Sequence, residues 1–136
     1  MRVAVIDGQG GGIGKHIVEQ LRKSFPDLEI LALGTNAMAA GAMLRAGANE
    51  VASGESAIVY NAERVDLILG SIGIVTVYGL MGETTPVMAK AVAASKAEKI
   101  LLPIQKGDML LVGIPRIPLP HLIDAMVLEV EKRLEA

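Results

Sequence analysis

Between Arg2 and Phe25 the chain passes without a break from a short apolar run, through a cluster of glycines, into an amphipathic segment. Arg2-Val3-Ala4-Val5-Ile6 is short, β-branched and apolar at consecutive rather than alternate positions. That pattern predicts a strand covered on both faces, as in a parallel sheet. From Ile13, the residues Ile17, Val18, Leu21 and Phe25 recur at helical spacing, with Lys15, Glu19, Gln20, Arg22 and Lys23 largely on the other side. Pro26 closes that helix. A doubly covered strand that feeds straight into a helix is the start of a βαβ unit, and the rest of the chain has to be compatible with it.

The alternation continues. Glu29 to Leu33 predicts a second strand, and Thr35 or Asn36 caps a helix running to Arg45, with Gly47 as its stop. Asn49 to Ala52 predicts a third strand, and Ser56 caps a brief helix. Val65 to Gly70 is a fourth strand, and Thr84-Thr85-Pro86 opens a helix ending near Ala94. Lys99 to Pro103 and Met109 to Gly113 predict a fifth and a sixth strand. Gln105-Lys106-Gly107-Asp108 joins them, a connection short enough to imply an antiparallel hairpin. A closing helix places Leu122, Ile123, Met126, Val127, Val130 and Leu134 on one stripe. The expected fold is α/β, a doubly wound, mostly parallel Rossmann-like sheet of order 3-2-1-4-5 with an antiparallel edge strand. Residues 1–136 then form one Rossmann-like nucleotide-binding domain.

Composition narrows the functions available. With 13 Lys+Arg against 15 Asp+Glu the formal charge is -2, without the basic excess that nucleic acid or an anionic membrane surface demands. The absence of Cys removes disulfides, thiolate nucleophiles and Cys-ligated metals. The longest uncharged stretch, Leu67 to Gly82, is interrupted by Ser71, Thr76, Tyr78 and four glycines, so it does not read as a membrane span. Val3 to Ile6 is too short for a signal-peptide core, which leads to the expectation of a mature chain starting at Met1 and a cytoplasmic location. A hydrophobic fraction of 51% in 136 residues exceeds what so small an interior absorbs, and a homo-oligomer is expected to cover the excess.

The glycine cluster carries the chemistry. Asp7-Gly8-Gln9-Gly10-Gly11-Gly12-Ile13-Gly14-Lys15 holds five glycines in the seven positions from Gly8 to Gly14. Glycines allow a ligand close to the backbone, and the first amides of the following helix are unpaired at the positive end of its dipole. A phosphate or carboxylate fits there; a tight turn with close helix–sheet packing is the alternative. The Gly-x-Gly-x-x-Gly dinucleotide spacing is not met, because counting from Gly8 puts Ile13 last. Gly8-x-x-x-Gly12-Ile13-Gly14 resembles the short-chain dehydrogenase loop, but the Tyr-x-x-x-Lys pair of that family is missing: Arg64 follows Tyr60 and Gly82 follows Tyr78. A Walker loop needs glycine at Gln9 and a hydroxyl at His16, so ATP or GTP hydrolysis lacks its metal shell.

Several further positions meet the glycine loop where the strand order reverses. After the second strand, Leu33-Gly34-Thr35-Asn36 offers neither an acid for ribose hydroxyls nor an arginine for a 2′-phosphate, leaving Thr35 and Asn36 as neutral hydrogen-bonding groups or helix caps. Ser71 and Gly73 follow the fourth strand, and Glu83 and Thr84 can face the same cleft. Lys15 can reach a phosphate or simply face solvent. His16 reads as a proton carrier or as polar surface, His121 as a surface or capping residue, and no metal site is expected. The candidate ligand-binding residues are therefore Gly8, Gln9, Gly10, Gly11, Gly12, Ile13, Gly14, Thr35, Asn36, Ser71 and Gly73.

The run Val-Ala-Val-Ile-Asp-Gly-Gln-Gly-Gly-Gly-Ile-Gly-Lys, with Ala-Leu-Gly-Thr-Asn-Ala, Ala-Gly-Ala-Asn-Glu and Gly-Glu-Thr-Thr-Pro after it, resembles a family of short bacterial proteins catalogued as a domain of unknown function. The resemblance covers nearly the whole chain. It implies a Rossmann-like fold and brings no established reaction or catalytic residues. The expected ligand is a small-molecule nucleotide, NAD or NADP before others, or another phosphate-bearing compound. The alternatives are a ligand-sensing or partner-regulating oligomeric module without catalysis, and a phosphate-loop-like ATP or GTP binder.

Overall fold

The computed structural model describes residues 1–104 and 108–136. Among them, β1 (Arg2–Asp7), β2 (Glu29–Gly34), β3 (Glu50–Ser53), β4 (Leu67–Ser71) and β5 (Glu98–Leu102) form one parallel sheet of order β3-β2-β1-β4-β5. The helices are α1 (Gly12–Ser24), α2 (Ala37–Arg45), α3 (Glu55–Ala62), α4 (Pro86–Ala94) and α5 (Leu119–Glu135). A 3-10 turn, Ile72–Val75, follows β4.

Side-chain alternation along the strands feeds two cores. Val3 and Val5 of β1, Ile30 of β2 and Leu69 of β4 pack with Ile17, Leu21 and Met43, and with Ile123 and Val130 of α5. Ala4 and Ile6, Leu31 and Leu33, and Ile68 point the other way, toward Ile58 of α3 and Met88 and Val92 of α4. This is why the central strands read as continuous apolar runs: neither face meets water. The strand order reverses between β1 and β4, and the carboxyl ends of these two parallel strands open on one edge.

Three local expectations change. The antiparallel strand expected at Met109–Gly113 is not formed, and Gln105 to Gly107 of its expected hairpin lie outside the described residues. Gly113 turns with φ 83°, Ile114 N–H returns to the Leu111 carbonyl, and Pro115 and Pro118 have no amide to give a ladder. Leu110 and Val112, 76% and 90% exposed, have no face to bury against. Helix α3 is capped by Gly54, at φ 98°, not by Ser56, and Glu55 supplies the acid of its first turn. Strand β4 begins at Leu67 rather than Val65; just before it Asp66 is held to Arg2 of β1, each backbone N–H donating to the other residue, to the Arg2 carbonyl and the Asp66 carboxylate.

The closing stripe buries Ile123, Met126, Val127 and Val130, while Leu134 is 37% exposed. Among the described residues no helix is long and apolar enough to cross a membrane. Because Leu69 is fully buried in a central strand, Leu69→Ala is expected to cost about 2–5 kcal/mol. Urea unfolding with the midpoint and slope both fitted checks this; a loss under 1 kcal/mol on the same scale would mean that β4 is not central.

Candidate functional site

The loop between β1 and α1 is organised by a buried carboxylate. Asp7, at the last position of β1, accepts the Gly8 amide at 2.8 Å on Oδ1 and the Gly14 amide at 2.7 Å on Oδ2. It therefore ties the two ends of the glycine run together. Gly11 N–H closes a turn onto the Gly8 carbonyl at 2.9 Å, and Gly11, at φ 76°, is the N-cap of α1. The next helical bond, from Lys15 N–H to the Gly11 carbonyl, is 2.8 Å long. The amides of Gly10, Gly12 and Ile13 have no acceptor among the described residues.

The five glycines divide into two kinds. A Cβ at Gly14 would lie 2.6 Å from Met43 Sδ and 2.8 Å from Asp7 Cβ, one at Gly11 2.8 Å from Ala39 Cα, and one at Gly8 2.5 Å from Thr35 Oγ1. These three are explained by packing. Gly10 and Gly12 have nothing within 4 Å of the same position, and both are exposed. Close packing among the described residues does not account for them.

A second carboxylate, Glu83, completes the loop from outside. Its Oε1 accepts the Gln9 amide at 2.8 Å, the Thr35 hydroxyl at 2.6 Å and the Asn36 side-chain amide at 2.8 Å. Asn36 also donates to the Gln9 carbonyl at 3.0 Å, while its Oδ1 caps α2 through the Ala39 amide at 2.8 Å. The Thr35 hydroxyl, then the Gln9 amide, and to a lesser extent Asn36, hold the Glu83 carboxyl below its ordinary value, against the opposing effect of partial burial.

Glu83 arrives on an unusual turn. Tyr78, Leu80 and Met81 have φ of 61°, 56° and 60°, and Gln9 has 52°. A non-glycine residue held in the left-handed region costs about 1–3 kcal/mol. The turn is secured by the Tyr78 amide on the Thr84 carbonyl at 2.8 Å, the Thr84 amide on the Gly79 carbonyl at 3.0 Å and the Thr84 hydroxyl on the Gly73 carbonyl at 3.0 Å.

Between this turn and the strand ends lies a cavity of about 330 Å³. Asp7, Gln9, Ser71 and Gly73 line it on the sheet side, and Tyr78, Leu80 and Met81 on the other. Ser71 Oγ accepts the Gly73 amide at 3.2 Å, which orients Gly73 at the rim.

The structure thus ties the glycine loop at Gln9 to Thr35 and Asn36 through Glu83, and places Ser71 and Gly73 beside Asp7 and Gln9 on the wall of the cavity. Lys15 lies outside this group, 3.9 Å from Glu19 and 57% exposed. Sequence reasoning placed Glu83 in the cleft but did not connect it with the end of β2. The available signal was topological: in a sheet of this order, the connections after β1, β2 and β4 open on the same edge.

The pattern of a family described as Domain of unknown function (DUF3842) matches residues 2–135. The chain belongs to that family. No curated protein matches this DUF3842 member. Among solved structures it is similar to a universal stress protein in complex with cAMP, with 20% identity and a TM-score of 0.40 over 73% of this chain and 94% of the other. That likeness is too weak to carry fold or ligand across.

Two expectations come from this geometry. Gly14→Ala should cost about 1–3 kcal/mol through overpacking, whereas Gly12→Val, with open space at that position, should stay within about 0.5 kcal/mol. Equal losses in denaturant melts would refute the division of the glycines. The second concerns acid. With its folded-state pKa below the ordinary 4.5, Glu83 contributes stability that is complete above that value and is lost as pH falls through the folded value. The difference in Tm between wild type and Glu83→Gln should be full at pH 7 and close on acidification below 4.5. A difference independent of pH would show that the carboxylate charge is not what holds the loop.

Proposed function

We propose that this protein binds a nucleotide, and specifically a dinucleotide of the NAD(P) type, along the carboxyl edge of β2, β1 and β4. The carrying observation is the pair of open glycines, Gly10 and Gly12, beside three amides without acceptors among the described residues. A pyrophosphate accepts hydrogen bonds and carries negative charge, so it suits both the amides of Gly10, Gly12 and Ile13 and the positive end of α1. Asp7 fixes the ends of the loop through Gly8 and Gly14 and leaves its middle for the ligand.

The two nucleoside halves then lie to either side. One extends toward Thr35, Asn36 and Glu83 at the end of β2. The other enters the cavity of about 330 Å³ beside Ser71 and Gly73, where Ile72, Leu80 and Met81 supply apolar surface for a planar ring. The dinucleotide would supply hydride chemistry when bound; the residues described here bind and orient it.

A thermal-shift series with NAD, NADP, ATP, FMN, coenzyme A and inorganic phosphate tests the proposal. Any compound that binds only the native state stabilises it, by about 2.7 kcal/mol at a hundred times its Kd. NAD or NADP should raise Tm by several degrees in wild type and leave Gly12→Val unmoved. Absence of a shift with either dinucleotide at millimolar concentration would overturn the proposal.

A further inference from the structure

Glu83 has one oxygen engaged and one left over. Oε1 takes three donors, from Gln9, Thr35 and Asn36, and those bonds fix the plane of the carboxylate. Oε2 has no hydrogen-bond partner among the described residues. Its location is what matters: Thr35 and Asn36 directly follow β2, where a dinucleotide presents its adenosine ribose. The connection after β2, Thr35-Asn36, has no acid of its own, and the turn before α4 delivers one to the same place from 47 positions away.

We infer that Glu83 is a specificity-determining residue for the ligand ribose, accepting hydrogen bonds from a free 2′,3′-diol and rejecting a 2′-phosphate. The inference rests on the dinucleotide proposal above and adds the choice of NAD over NADP. A carboxylate can only accept, and a diol offers O–H donors. A 2′-phosphate offers acceptors and about -1.5 to -2 charge at neutral pH. The groups holding Glu83 are an amide, a hydroxyl and a carboxamide, so none supplies positive charge to offset that repulsion.

The turn carrying Glu83 suits the task. Leu80 and Met81 precede it in left-handed conformations, Gly82 follows them at φ 89°, and the Glu83 amide returns to the Leu80 carbonyl at 3.2 Å. Backbone strain persists where surrounding contacts over-determine it, and it recurs at ligand clamps. Here the strained residues also line the cavity assigned to the other half of the ligand.

Titration calorimetry with NAD and NADP, and with ADP-ribose and its 2′-phosphorylated form, tests the inference. Wild type should bind NAD at least about tenfold more tightly than NADP, equivalent to about 1.4 kcal/mol, with the same order for the shorter pair. In Glu83→Gln, which keeps an acceptor oxygen but loses the charge, the preference should fall to within about threefold. Equal wild-type affinities, or a preference that persists undiminished in Glu83→Gln, would overturn the role of Glu83 while leaving the dinucleotide site standing. Failure of all four compounds to bind wild type would overturn both. The wild-type comparison decides without the variant if Glu83→Gln does not fold.

Discussion

Two amides seven and one residue beyond Asp7 converge on its side chain, and the rest of the site depends on that convergence. A buried carboxylate away from water is costly unless donors surround it, and charge makes the hydrogen bonds it accepts short and strong. Gly8 and Gly14 supply two such donors, the second within the first turn of α1, where the helix dipole also favours negative charge. With both ends of the run pinned, Gly14 comes against Met43 and α1 lies close to α2. In the middle of the loop Gly10 and Gly12 are exposed, and the amides of Gly10, Gly12 and Ile13 have no acceptor among the described residues.

Glu83 divides its work differently. Asp7 uses both carboxylate oxygens to shape a single loop, whereas Glu83 uses one oxygen to join three connections that are distant in sequence. Thr35 and Asn36 consequently serve the protein before any ligand. Asn36 caps α2 and braces Gln9 together, and the Thr35 hydroxyl is committed to Glu83. Capping of α2 and bracing of the glycine loop thus meet in one hydrogen-bonded group.

The sheet was legible because its evidence is local and repeated. Continuous apolar runs at Val3–Ile6 and Leu67–Leu69 mark strands covered on both faces, and helical periodicity between strands requires crossovers whose hand leaves little freedom in strand order. The β1–α1 loop was legible for the same reason. Met109–Gly113 misled because a short apolar run has no period, and the turn at Gly113 and the prolines beyond it outweighed composition. Packing separated Gly11 and Gly14 from Gly10 and Gly12, which depends on where Ala39 and Met43 lie in space. Glu83 reads locally as the residue before a Thr-Thr-Pro helix start, and its reach to Asn36 belongs to tertiary structure alone.

Sharing one acceptor among three connections makes their order collective. If the turn before α4 opens, the Gln9 amide of one connection and the Thr35 hydroxyl and Asn36 carboxamide of another lose the same oxygen at the same instant. The edge of this sheet therefore rearranges as a cooperative unit rather than one loop at a time. A molecule that holds any one of these connections steadies the others by a single common atom, and loops with no contact to that molecule register its arrival.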